Sequence, residues 1–148
     1  MNNVYTSGGL NPSDDAAVAH AARAYASIRK QKTDCQNIAA NTGMSFECVS
    51  LIKAYIFYAK HELLDGIDYF WPCYEMAESW RRLSAKGGRH IQPHDRLLLL
   101  QHELLEIHYI MQGMPQIEAH SLACQTFDYP TASNAFYARN LGTQHRSN

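Results

Sequence analysis

Residues 93–112 read PHDRLLLLQHELLEIHYIMQ, and the reading of this stretch decides the fold. Pro93 fits the first turn of a helix, where its missing N–H is not needed, and Gly113 follows the last periodic residue. On a wheel at about 100° per residue, Asp95, His102 and Glu106 fall within roughly 40° of one another, with Glu103 beside them. Gln101, His108 and Gln112 make a second polar stripe on the opposite side. Leu97, Leu98, Leu100, Leu104, Leu105 and Ile107 fill the arcs between. A helix with two polar faces turns one of them toward a cleft or another helix. Unpaired carboxylates are costly to bury, so an inward stripe requires metal, His or Arg partners.

The flanking segments carry the same helical period. Residues 16–30 are Ala-rich, opened by Pro12-Ser13-Asp14-Asp15 with Ser13 or Asp14 as the cap, and closed by bases that suit the negative end of a helix. Residues 33–42 predict a second helix that stops at Gly43, and Ser45 caps a third over residues 46–60. Val49, Ile52, Ile56 and Ala59 give that third helix its buried face. From His61 to Pro72 the pattern fades, and Asp65-Gly66 and Trp71-Pro72 predict a loop or short irregular piece. Further helices are expected over residues 74–86, stopped by Gly87-Gly88, and over 115–127 and 130–141, each opened by a proline. No segment alternates convincingly like a strand. The expected fold is all-α, a compact bundle of about six to seven helices. Residues 1–12 read as a flexible leader, 13–141 as a single helical domain and 142–148 as a disordered tail.

The bulk numbers agree with one globular domain: 148 residues, 46% apolar and 18% charged. With a net charge of −1, no global field draws in nucleic acid or a membrane surface, so such a partner must be gripped locally. No apolar run is long enough to span a bilayer, so no membrane insertion is expected. The four Cys (Cys35, Cys48, Cys73 and Cys124) do not pair in zinc-type or redox spacing and read as free, mostly buried thiols. Ala39, Gly43 and Val49 have the spacing of a helix-turn-helix unit. The helix that would enter the groove offers Lys53 as its only base, which suits two packed helices better than a DNA reader. Trp80, Phe70 and Trp71 are expected in the core, and His20, His108 and His145 at the surface.

The chemistry concentrates at His102-Glu103-Leu104-Leu105-Glu106. His102 and Glu106, four apart, can point at one divalent metal ion, zinc or another transition metal, with Glu103 where the general base of His-Glu-x-x-His zinc enzymes stands. Glu in place of the second His makes the signal less specific. The missing ligand would come from His61, His94 or His120. Without a metal, His102 beside Asp95 or Glu106 is an oriented acid–base pair fit for phosphodiester or glycosidic cleavage. A satisfied interhelical network and a solvated face are the bland alternatives. Arg81, Arg82, Lys86 and Arg89, around Gly87-Gly88 and next to His90, form the one local basic patch. It is either a phosphate grip or an ordinary helix end.

A wider pattern runs from Ile38-Ala39-Ala40-Asn41-Thr42-Gly43-Met44-Ser45, through Ile52-Lys53, Ile56-Phe57, Lys60-His61 and Phe70, to Met76-Ala77-Glu78-Ser79-Trp80-Arg81-Arg82-Leu83. It continues through Ile91-Gln92-Pro93-His94-Asp95, Leu99, His102-Glu103, Glu106 and Ala119-His120. Over about residues 38–129 it resembles a C-terminal toxin domain of bacterial polymorphic toxins, also found attached to phage head proteins. The resemblance implies export as part of a larger toxin, action in the cytoplasm of a neighbouring cell, and a cognate immunity protein as partner. In that pattern a His often precedes the Ile-Phe pair; here Tyr55 stands there. Because nucleic acid is a common substrate of such toxins, the expected function is a nucleic-acid hydrolase using His102, Glu103, Glu106 and Asp95. Arg81, Arg82 and Arg89 would then contact phosphate. A zinc protease-like toxin and a non-enzymatic interaction or DNA-binding module are the alternatives.

Overall fold

The computed structural model describes residues 12, 14–59, 61–63, 66–68 and 72–146, of which 61–63, 66–68, 97–99 and 140–146 are described through their backbone alone. Helix α1 (Asp15–Lys30) buries Ala17, Ala21, Tyr25 and Ile28, a single stripe at helical spacing. Helix α2 (Asp34–Thr42) ends at Gly43, whose φ of 81° is the left-handed conformation glycine adopts without strain. Ser45 then accepts a hydrogen bond from the Cys48 amide at 3.1 Å and opens α3 (Phe46–Lys53). The chain continues as a π-helical turn, Ala54–Tyr58.

The stretch expected to be irregular instead holds a small hairpin. β1 (His61–Leu63) pairs antiparallel with β2 (Gly66–Asp68), His61 opposite Asp68 and Leu63 opposite Gly66. The turn chemistry of Asp65-Gly66 marks a chain reversal, and three-residue strands are too short to show alternation. β1 lies against α6. Helix α4 (Tyr74–Ser84) follows, then a π-helical stretch His94–Leu99 that runs into α5 (Leu100–Met111). Helices α6 (Gln116–Thr126) and α7 (Tyr129–Arg146) close the bundle. The last helix passes through Gly142 instead of stopping at Leu141, so the backbone of the expected tail is helical to Arg146. Residues 1–11, within the expected leader, lie outside the described residues. Seven α-helices among the described residues make the all-α bundle that the periodicity predicted.

The core gathers around Trp80, which is fully buried, as expected; Phe70 and Trp71 lie outside the described residues. Phe57 packs edge-on to Trp80 at 5.1 Å and to Tyr25 at 4.8 Å, linking the π-helical turn to α4 and α1. Ile38, Val49, Ile52, Leu83 and Leu100 complete this cluster. A second cluster (Ala17, Ala21, Tyr74, Phe136 and Tyr137) ties α7 to α1 and α4. Asp34 is buried under the first cluster, where the Trp80 indole N–H reaches it at 3.0 Å and Lys53 Nζ at 2.9 Å. Lys53 also donates to the Gln31 carbonyl at 3.0 Å. The only base of α3 is thus spent inside the protein, which leaves that helix without a cation for phosphate or guanine. The α2–Gly43–α3 unit is a packed helix pair.

Candidate active site

The polar stripe read on the wheel is divided in two. The wheel assumed an α-helix throughout residues 95–111, whereas His94–Leu99 is π-helical. Hydrogen bonding from residue i to i+5 adds a residue to the turn and rotates Asp95 out of line with His102. Asp95 is fully buried and forms a network of its own. Its carboxylate accepts from Arg82 Nε at 2.7 Å, Arg82 Nη2 at 2.9 Å, Ser79 Oγ at 2.7 Å and the Gln92 amide at 2.8 Å. No described hydrogen bond or ion pair joins Asp95 to His102 or Glu106. Asp95 therefore leaves the candidate catalytic set.

The other half of the stripe gathers partners from three directions. Glu106 is almost fully buried on α5. One carboxylate oxygen accepts from the Tyr55 hydroxyl, which the π-helical turn after α3 delivers. The other accepts from His120 Nδ1 of α6 at 2.8 Å and lies 3.4 Å from His102 Nε2, one turn back along α5. His102 Nδ1 donates to the Phe127 carbonyl at the end of α6, at 2.9 Å. Cys124, one turn after His120, brings its sulfur to 3.5 Å from His120 Nε2. One ligand atom from each of His102, His120 and Cys124 fits within a 4.8 Å span. The protein thus holds a cluster able to bind a metal ion.

Glu103 stands beside this cluster, about 95% buried, and its carboxyl has no hydrogen-bond or ion-pair partner among the described residues. Glu103, Glu106, Gln116 and His120 open onto a cleft of about 260 Å³ whose other walls are Tyr25, Ile56, Cys73 and Met76. Burial, reinforced by the charge of Glu106, holds the Glu103 carboxyl well above the usual range. Burial acts on Glu106 in the same sense, but hydrogen bonds from His102, His120 and Tyr55 overcome it and hold that carboxyl low. The hydrogen bond to Glu106 raises His120, against a smaller opposing effect of burial. Two adjacent carboxyls pushed in opposite directions by their surroundings, one beside the His120 imidazole in a largely apolar cleft, are an arrangement typical of acid–base chemistry. A bound cation here would remove much of the penalty on Glu103.

The remaining predicted residues scatter. Arg82 is buried under its ion pair with Asp95 and stacks 4.9 Å from the Phe136 ring, so it has no free face for phosphate. Arg81 meets His20 at 2.9 Å and Glu78 at 3.2 Å in a separate cleft between α1 and α4. His20 is accordingly half-buried instead of free at the surface, and lies 2.5 Å from Glu78. Arg89 is exposed on the turn after α4. The three arginines therefore form no common grip. His94 is buried with Nε2 3.2 Å from Asp95 and its ring against Tyr129 and Phe136, in the Arg82 network and not among the metal candidates. The side chain of His61 lies outside the described residues. Of the described candidates, His120 joins His102 and Glu106. Of the cysteines, all free, Cys35 is buried and the rest are half-buried. Cys124 has no second Cys at ligand spacing, so Cys–Cys spacing does not mark it. The signal that finds it is His120-x-x-x-Cys124, one helical turn on a single face.

No known family matches the chain, and neither a curated protein nor a solved structure matches it. Among the described residues no helix is long and apolar enough to cross a membrane.

Proposed function

We propose that this chain is a metal-dependent hydrolase of carbonyl bonds, amide or ester, acting as the toxic domain of an exported antibacterial protein. The observation that carries the reading is the convergence of His102 and His120 on Glu106, with Glu106 and His120 lining one cleft beside the buried Glu103, whose carboxyl has no partner among the described residues. His102 and His120 would hold a divalent transition metal, zinc foremost, with a third ligand from their neighbours Glu106 and Cys124. When bound, such an ion would supply Lewis acidity toward the scissile carbonyl and toward water. Glu103 takes the proton of the attacking water as its oxygen bonds to the carbonyl carbon. It returns that proton to the amine or alkoxide as the old bond breaks.

The lining of the cleft supports an uncharged bond over a phosphodiester. Among the described residues its lining carries two carboxyls and neither Arg nor Lys, so apart from the ion and His120 a phosphate would find no cationic side chain to hold it. Ile56, Met76 and Tyr25 instead offer an apolar seat for a peptide side chain. Delivery into a neighbouring cell and neutralisation by a cognate immunity protein belong to the same proposal and rest on the sequence resemblance alone.

The test incubates the zinc-loaded chain with denatured protein, RNA and DNA in parallel, beside Glu103→Gln. Cleavage of polypeptide that chelation stops, falling about 100-fold or more in the variant, is the expected result. Degraded RNA or DNA with intact protein would replace the substrate class. Equal activity in Glu103→Gln would overturn the mechanism. Induced expression in a bacterium should arrest growth through the same residue.

A further inference from the structure

We infer that Cys124 is the third metal ligand and that Glu106 orients the site from behind His120 instead of binding the ion. The inference rests on the metal-dependent reading above and deepens it. Metal-binding imidazoles as a rule donate their second N–H to a carboxylate or a backbone carbonyl, which fixes the ring. Both imidazoles here already do so through Nδ1: His120 to Glu106 at 2.8 Å and His102 to the Phe127 carbonyl at 2.9 Å. The Nε2 atoms then face the cluster, that of His120 toward Cys124 at 3.5 Å and that of His102 toward Glu106 at 3.4 Å, where an ion would take over these weaker contacts.

Both oxygens of Glu106 are meanwhile occupied, one by Tyr55 and the other by His120. As a ligand, Glu106 would have to give up one of these hydrogen bonds in a buried site. Cys124 gives up less: its sulfur makes a weak hydrogen bond to His120 Nε2 at 3.5 Å, half-buried, between the two atoms that the ion would join. A sulfur about 2.3 Å and a nitrogen about 2.0–2.1 Å from one tetrahedral zinc stand about 3.5 Å apart. The pair is therefore already spaced as two ligands of one ion. His102 completes the set within the 4.8 Å span, and a fourth position is left for water. One thiolate and two imidazoles select zinc-like ions over magnesium, calcium or manganese. Binding replaces the Cys124 S–H bond with a sulfur–metal bond and releases the proton to solvent.

Cobalt(II) titration of the full chain tests this without reference to activity. A thiolate ligand gives a sulfur-to-cobalt charge-transfer band in the near ultraviolet. The expected result is such a band at one equivalent of cobalt, absent in Cys124→Ser and kept in Glu106→Gln. Competition against a chelating dye should show zinc held about 10–100-fold more weakly in Glu106→Gln, as for lost outer-shell partners, and more weakly still in Cys124→Ser. Circular dichroism confirms that each variant is folded. Cobalt bound without the band, or a band that survives Cys124→Ser, overturns the ligand assignment and leaves Glu106 as the ligand of a hydrolase. No cobalt or zinc bound at all overturns this inference and the hydrolase reading together.

Discussion

Asp95→Ala should unfold this protein more readily than it should slow any chemistry. Asp95 is fully buried and accepts four hydrogen bonds, two from the Arg82 guanidinium at 2.7 and 2.9 Å, with the others from Ser79 and Gln92. Truncation strands the guanidinium, which is about 97% buried. Removing one partner of a buried ion pair costs about 3–5 kcal/mol, because the surviving charge is left without compensation. Against a total stability of about 5–15 kcal/mol, this is a large share. In a domain of this size each kcal/mol moves the midpoint by about 2–4 °C, so melting should fall by about 6–20 °C. Urea unfolding of metal-free protein, followed by circular dichroism, measures the loss directly. The slope against denaturant should stay constant if the native state keeps its extent. The double variant Arg82→Met, Asp95→Leu should recover most of the stability, since apolar replacement of a whole buried pair is often neutral or better. A loss below about 1 kcal/mol in Asp95→Ala, together with abolished hydrolysis, would refute the reasoning and return Asp95 to the active site.

Glu103→Leu should do the opposite, removing hydrolysis while stabilising the metal-free chain by about 1–3 kcal/mol, the cost of a buried polar group without a partner. Unchanged or lower stability in urea would show that Glu103 has a structural partner. Gly88→Ala should destabilise by about 1–3 kcal/mol, because Gly88 has a φ of +61° and an added Cβ would stand 2.9 Å from Ile91 Cδ1. A melting point equal to the parent's would count against the turn as described. For His94, burial lowers the folded pKa below 6.5, with Asp95 opposing and Arg82 and Arg139 assisting. The unfolded chain then binds the proton first, so this residue's contribution is complete above pH 6.5 and is lost as pH falls toward the folded value. Replacing His94 with Gln should flatten the acid limb of stability against pH. An identical limb would place the titrating group elsewhere.

The helices were legible because their signals are local. Gly43 ended α2, Ser45 capped α3 and prolines opened α5 and α6, each through chemistry confined to one turn. His102, Glu103 and Glu106 were legible for the same reason, lying on one α-helical face. Asp95 was misplaced because a wheel fixes the angle per residue, while π-helical geometry is set by tertiary packing that no periodicity records. Arg82 was misread because a base near a helix C-terminus looks the same whether it meets solvent or a buried aspartate 13 residues away. Cys124 and Tyr55 reach the site from α6 and the end of α3, and only the fold brings those elements beside α5.

The two π-helical stretches explain how one helix serves both stability and the candidate site. The first, Ala54–Tyr58, turns Tyr55 inward onto Glu106; the second, His94–Leu99, turns Asp95 away toward Arg82. Without the second, an α-helix would line up Asp95, His102 and Glu106, and a third carboxylate would crowd the cluster. The result is one closed network, in which every oxygen of Asp95 is satisfied, and one open network, in which Glu103 at a cleft has no partner among the described residues. A fold tolerates an unsatisfied buried carboxyl only at a cost in stability, and such costs gather where function requires them. If the second π turn were regularised, by deleting one residue within 96–99, Asp95 would swing back toward His102. The Arg82 pair would break and the protein would lose stability and metal affinity together. If the deletion left both intact, the π turn would have no part in separating the two networks.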